Sequence, residues 1–150
     1  MQTTHTNTKS DRLILLGLIL FLLGLIIGLA IPLLQNPRMG LSAHLEAITN
    51  GMLLMILGLI WHRIALSTKW LSINYWLLVY GTLANVTAVL LAAITGFGKL
   101  MPIAGGKEGS NPIESIISFL LVSLALAMLF VLTMVIIGYR NYLQTKKAAG

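Results

Sequence analysis

Cysteine is absent from the 150 residues. That excludes disulfides, thiolate metal sites and thioether-linked haem, so any haem here would be held non-covalently. Charge is scarce as well: Asp, Glu, Lys and Arg make up 9% of the chain, against 57% hydrophobic residues and a mean hydropathy of +0.91. A soluble domain of this length cannot cover its surface with so few charges. The composition is that of an integral membrane protein. The formal charge of +6 would suggest nucleic acid in a soluble protein. Here the basic residues stand singly in loops, so they read as topology signals and nucleic acid is not an expected partner.

Four apolar runs follow along the chain, at about 13–34, 41–66, 70–95 and 113–138. Each matches or exceeds the roughly 20 residues a helix needs to cross the hydrocarbon core. The expected architecture is therefore all-α: an integral membrane four-helix bundle forming a single domain over residues 1–150. A signal peptide is the competing reading of the first run, but that run is longer than the apolar core of such peptides. Residues 1–12 are polar and without apolar period, which predicts a frayed tail, with His5 incidental. Gly17, Gly24 and Gly28 fall on one helical face, and Gly24-Leu25-Ile26-Ile27-Gly28 is a GxxxG pattern that suits close packing on another helix. Trp61-His62-Arg63 and Tyr75, Trp76 and Tyr80 read as interfacial belts. The loop 96–110 is too rich in glycine to be helical throughout, and it lacks the ordered GxxxxGK[ST] pattern of a phosphate cradle. Asn111-Pro112-Ile113-Glu114 resembles a capping box, which gives Glu114 a structural reason to exist.

Lys and Arg in the flanks set the orientation. Lys9, Arg12, Arg63, Lys69, Arg140, Lys146 and Lys147 lie on one side, and Arg38, Lys99 and Lys107 on the other. Both termini are therefore expected in the cytoplasm, with the chain multi-pass in a bacterial inner membrane. The glycine-rich loop, Glu114 and the start of the second span then share the outer end.

That start is the stretch Asn36 to Gly51, which concentrates an arginine, a histidine, a glutamate and two asparagines in a chain poor in all of them. A lipid-facing segment would not tolerate this density, because each polar group needs a partner or water at membrane depth. On a helix His44 and Gly51 share one face, while Glu46 and Asn50 share another. Such divergent faces suit an oligomer, one facing the bundle and one a subunit boundary. His44 has three readings: a haem or metal ligand, a proton shuttle, or a hydrogen-bonded packing residue. No second histidine stands at zinc spacing, whereas a haem needs only one and keeps an open face for substrate. Glu46 could be favoured by the helix dipole or pair with Arg38. Asn50 and Asn85 are amides whose default role is interhelical hydrogen bonding.

The block Asn36-Pro37-Arg38-Met39-Gly40-Leu41-Ser42-Ala43-His44-Leu45-Glu46, with Asn50-Gly51-Met52 after it, resembles the signature region of bacterial hydroxylaminobenzene mutases. Met101-Pro102-Ile103-Ala104-Gly105-Gly106 resembles the same family. More distantly, His44, Asn50-Gly51 and Ala84-Asn85-Val86 are similar to styrene oxide isomerase. The resemblance implies an isomerase that moves a hydroxyl from nitrogen to the ortho carbon of an arylhydroxylamine, giving a 2-aminophenol. It implies a homotrimer with haem b ligated by His44 at the subunit interface and Asn50 beside the substrate. Gly51 and Arg38 are further expected beside the cofactor, and Glu46 and Asn85 join Asn50 as expected catalytic residues. The chain departs from the isomerase after Asn85, where Val86-Thr87-Ala88-Val89-Leu90 holds no counterpart of its catalytic tyrosine. Glu46 has no acidic counterpart there, which fits a different chemistry: protonation of the leaving hydroxyl. Two alternatives remain at this level, a haem-free acid–base mutase using Glu46 and a non-catalytic membrane subunit or scaffold.

Overall fold

Proline and its neighbours punctuate the apolar runs. A computed structural model describes the backbone of residues 2–109 and 112–148, and the side chains from residue 8 onward within those ranges. The first helix, α1 (Gln2–Ala30), gives way to a 3-10 turn at Ile31–Leu33 that contains Pro32. Pro37 then opens α2 (Pro37–Ile60), its fixed φ suiting the first helical position. Asn36 precedes it in extended conformation and caps it, its side-chain oxygen accepting from the Met39 amide at 3.1 Å. After a 3-10 turn at Trp61–Arg63 comes α3 (Thr68–Thr95), and after the loop that follows it, α4 (Ile113–Ala148).

All four helices are long and apolar enough to cross a membrane. Several boundaries differ from the expectation. The helix of the second span ends at Ile60 rather than 66, α3 begins at Thr68 and α4 runs on to Ala148. The second span begins at Pro37 rather than 41, because residues 37–40 lie inside the helix capped by Asn36. The first begins at Gln2, where a frayed tail was expected. Tertiary contacts hold its start: the Ser10 hydroxyl donates to the Gly58 carbonyl at 2.6 Å, and the Lys9 ammonium sits 5.4 Å from the centre of the Tyr75 ring. The cap expected at Asn111 falls outside the described residues.

The extensive contacts between helices run in chain order, α1 on α2, α2 on α3 and α3 on α4. The middle helices are accordingly the more buried, while α1 and α4 keep broad apolar faces exposed, including Leu22, Leu29, Phe119 and Leu129. Aromatic residues divide against the belt expectation. Trp61 is fully buried, edge-on to the buried Tyr75 at 6.1 Å, whereas Trp70 and Trp76 are exposed. The reason is position: Trp61 ends α2 in the 3-10 turn that packs back on α1, so its ring enters the core.

The glycine face of α1 meets α2 at backbone distance. A methyl group on Gly51 would stand 2.8 Å from the Gly17 carbonyl oxygen and 2.9 Å from the Phe21 nitrogen, closer than carbon can approach either. These are main-chain atoms, so no rotamer change relieves the clash. Gly51→Leu should therefore destabilise the fold by about 1–3 kcal/mol, the usual cost of overpacking. The measurement is the Tm of the detergent-solubilised protein; an unchanged Tm would mean that the two backbones do not meet here.

Candidate active site

Helix periodicity carries polar residues of α2 to opposite sides, and each side finds a different partner. His44 faces α1. Its Nδ1 lies 2.7 Å from the Gly24 carbonyl oxygen, and a methyl on Gly28 would come within 2.7 Å of the same nitrogen. Gly28 thus opens the room that the imidazole occupies, while Gly24 makes way for Ile48 and Ala47 and offers its carbonyl to the ring. A carbonyl only accepts, so Nδ1 donates, and in the neutral ring Nε2 keeps the lone pair. Gly51 is on this side too, in contact with the α1 backbone.

Glu46, about 200° around the helix from His44, faces α3. Its Oε2 accepts a hydrogen bond of 2.6 Å from Asn85 Nδ2. This replaces the ion pair with Arg38 considered from sequence: Arg38 is exposed, and the carboxylate's bond goes to the amide. Asn50, one turn along α2 from Glu46, is buried, and its side-chain nitrogen has no hydrogen-bond partner among the described residues. A buried amide with an unspent donor is costly unless something accepts from it.

A cavity of about 460 Å³ opens beside Glu46. Arg38, Ser42 and Glu46 line it from α2, Val89 from α3, and residues 100–104 of the glycine-rich loop cover it. Its size suits a single aromatic ring with polar substituents, and its walls are largely apolar with one cation and one carboxylate. His44 is not among its lining residues.

The loop is pinned at both ends, and here sequence reading missed two residues. Glu114 is buried, and its carboxylate accepts from the amides of Gly98 at 3.0 Å and Lys99 at 3.1 Å and from the Ser118 hydroxyl at 3.3 Å. It holds the loop, a tertiary role that the capping-box pattern did not foretell. Asn36 Nδ2 donates to the carbonyls of Ala104 and Gly105 at 3.2 and 3.0 Å. Neither this long-range use of Asn36 nor its role as the cap of α2 was read from the sequence.

As a holder of metal, the site offers one arrangement. Among the described residues no group of three or more His, Cys, Asp or Glu side chains comes together, so a cage made wholly of protein ligands is not formed there. A single imidazole with Nδ1 tied to a carbonyl and Nε2 open is the donor that an axial haem position uses. His44 fits at that one point.

Comparison with known proteins now identifies the family. Its sequence model, described as styrene oxide isomerase, matches residues 9–140. This chain belongs to the styrene oxide isomerase family. Arg38, His44, Glu46, Asn50 and Asn85 all lie within the matched region. Two curated relatives are similar over most of their length. Hydroxylaminobenzene mutase HabA from Ectopseudomonas oleovorans is 49% identical over 124 residues, covering 81% of this chain and 92% of the relative. Hydroxylaminobenzene mutase HabB from the same organism is 47% identical over 145 residues, covering 93% and 88%. No solved structure matches the chain.

Within this family member, the Glu46–Asn85 bond predicts a coupling measurable by a double-mutant cycle. Glu46→Ala and Asn85→Ala should each destabilise the protein, and the double variant should cost less than their sum by on the order of 1–2 kcal/mol. Strict additivity would mean that the two side chains do not interact.

Proposed function

We propose that this chain is a membrane hydroxylaminobenzene mutase, rearranging an aromatic hydroxylamine to a 2-aminophenol in the cavity beside Glu46. The observation that carries the reading is the Glu46–Asn85 pair at the wall of a ring-sized cavity, in a chain 47% and 49% identical to two hydroxylaminobenzene mutases. The reaction is an isomerisation with no net redox change. Its hard step is heterolysis of the N–O bond, which places positive charge on the arylamine fragment.

In this reading Glu46, in its acid form, gives its proton to the hydroxyl oxygen as the N–O bond breaks, and the bonding pair leaves with oxygen as water. The electron-poor ring takes that oxygen back at the ortho carbon; Glu46 receives a proton from the added water, and passage of the ring proton to nitrogen restores aromaticity and gives the amine. Asn85 holds Oε2, which leaves Oε1 as the oxygen free to carry the proton. Asn50 supplies a buried N–H donor to orient the substrate. The apolar walls keep bulk water from a cation that it would otherwise capture.

Haem b is the cofactor this reading assigns; His44 would hold it through Nε2, and Gly51 and Arg38 are the further residues assigned to it. When bound, it would supply Lewis acidity toward the N–O group. His44 and Glu46 point to different sides of α2. The assembly proposed is therefore a homotrimer, in which the His44 face of one subunit can approach the cavity of the next. Both termini are placed in the cytoplasm and the chain in the bacterial inner membrane. A second reading, the haem-free mutase, is favoured by one fact: the cavity adjoins Glu46 and not His44.

Absorption spectra of purified wild type and His44→Ala, with and without hydroxylaminobenzene, separate these readings. A Soret band lost in the variant and shifted by substrate is the expected result. A colourless wild type that still forms 2-aminophenol would leave Glu46 as the acid without haem; a colourless, inactive protein would return the chain to a scaffold role. Glu46→Gln, which keeps the acceptor for Asn85 but has no proton to give, should lower kcat by about 100-fold or more, the usual share of a general acid. Unchanged turnover would remove Glu46 from the chemistry.

A further inference from the structure

Two side chains outside the reacting set determine what covers the cavity. Asn36 acts in two directions at once. Its Oδ1 caps α2 through the Met39 amide, and its Nδ2 donates to the carbonyls of Ala104 and Gly105. Its own amide donates to the Ala93 carbonyl in the last turn of α3, at 3.0 Å. Glu114, only 3% exposed, receives the Gly98 and Lys99 amides from the other end of the same loop. Between the two clamps lie residues 100–104, which form the roof of the cavity. The clamped segment turns at Gly98 and Gly105, whose φ values of +133° and +78° lie where a side chain would be strained. It is closed on itself by the Gly106 amide donating to the Met101 carbonyl at 3.1 Å.

We infer that Asn36 and Glu114 are positioning residues that hold this loop in place beside the cavity, limit the approach of bulk water from that side and thereby direct oxygen to the ortho carbon. The inference rests on the mutase reading above. Once the N–O bond has broken, the ring cation is electrophilic at both ortho and para carbons. The oxygen just released is beside the nitrogen and reaches the ortho carbon. Solvent water entering from outside attacks the open para carbon, forms the C–O bond there and, after losing one proton and with the ring proton passing to nitrogen, leaves 4-aminophenol. Both routes begin with the same N–O cleavage and balance without oxidant or reductant. A loosened roof therefore changes which product forms more than it changes whether cleavage occurs.

The test uses the full-length protein in detergent or bilayer with hydroxylaminobenzene in ¹⁸O-labelled water. Asn36→Asp keeps the acceptor that caps α2 but turns a carboxylate oxygen toward two carbonyls. Glu114→Gln keeps the volume and loses one acceptor for the loop amides. In each, the ratio of 4-aminophenol to 2-aminophenol and the solvent label in the products should rise by about fivefold, the factor of one ordinary hydrogen bond. The ratio is read on product, so it does not depend on the fraction of protein folded. Should neither variant fold, Ser118→Ala, which removes only the 3.3 Å bond to Glu114, carries the test with a smaller rise. Unchanged ratio and label in the folded variants overturn the positioning role while the mutase reading stands. A wild type that forms no 2-aminophenol overturns that reading and the inference with it.

Discussion

The contact between the backbones of α1 and α2 governs the arrangement of everything polar in this protein. Gly17 and Gly51 let the two main chains meet, and main-chain atoms do not yield. The rotation of α2 about its own axis is thereby set. With that rotation, His44 is directed into the space left by Gly28 and onto the Gly24 carbonyl, and Glu46 is directed away from α1 to α3. A bulkier residue at the contact would turn or displace α2 and move both side chains together.

The second constraint is the environment. In hydrocarbon each polar group must be satisfied within the protein. The helix ends around the glycine-rich loop meet this in a connected way: the Asn36 side chain links the start of α2 to the loop, its amide reaches the end of α3, and Glu114 links the same loop to α4. The polar groups that a lipid-facing helix would not carry are thus spent on holding the cavity and its cover. Exceptions remain among the described residues: the Asn50 side-chain nitrogen, the Trp61 indole nitrogen and both polar atoms of the Asn74 side chain are buried without a hydrogen-bond partner. Each such group costs stability unless something outside the chain satisfies it.

The distribution of exposed surface bears on assembly. The helices pack in chain order, so α1 and α4 present their apolar faces outward, to lipid or to another copy of the chain. His44 stands half-buried on the α1 side of α2, near one of these faces, whereas the cavity belongs to the α2–α3 side. That division accounts for why a single chain does not bring the imidazole and the carboxylate to one point.

Local periodicity and composition by themselves determined the four spans, the glycine face of α1 and the separation of His44 with Gly51 from Glu46 with Asn50. Each of these follows from residues within a few turns of one another, where a rise and a rotation per residue suffice. The family was legible as well, because its signature is a contiguous block. Tertiary structure alone decided the partners. That Glu46 bonds Asn85 and not Arg38, that Glu114 holds a loop instead of serving only as a cap, and that Trp61 is core rather than belt all depend on how separate helices are set side by side. No spacing along the chain encodes that placement, because it comes from the sum of many small packing contacts, and these are fixed only when the helices have met.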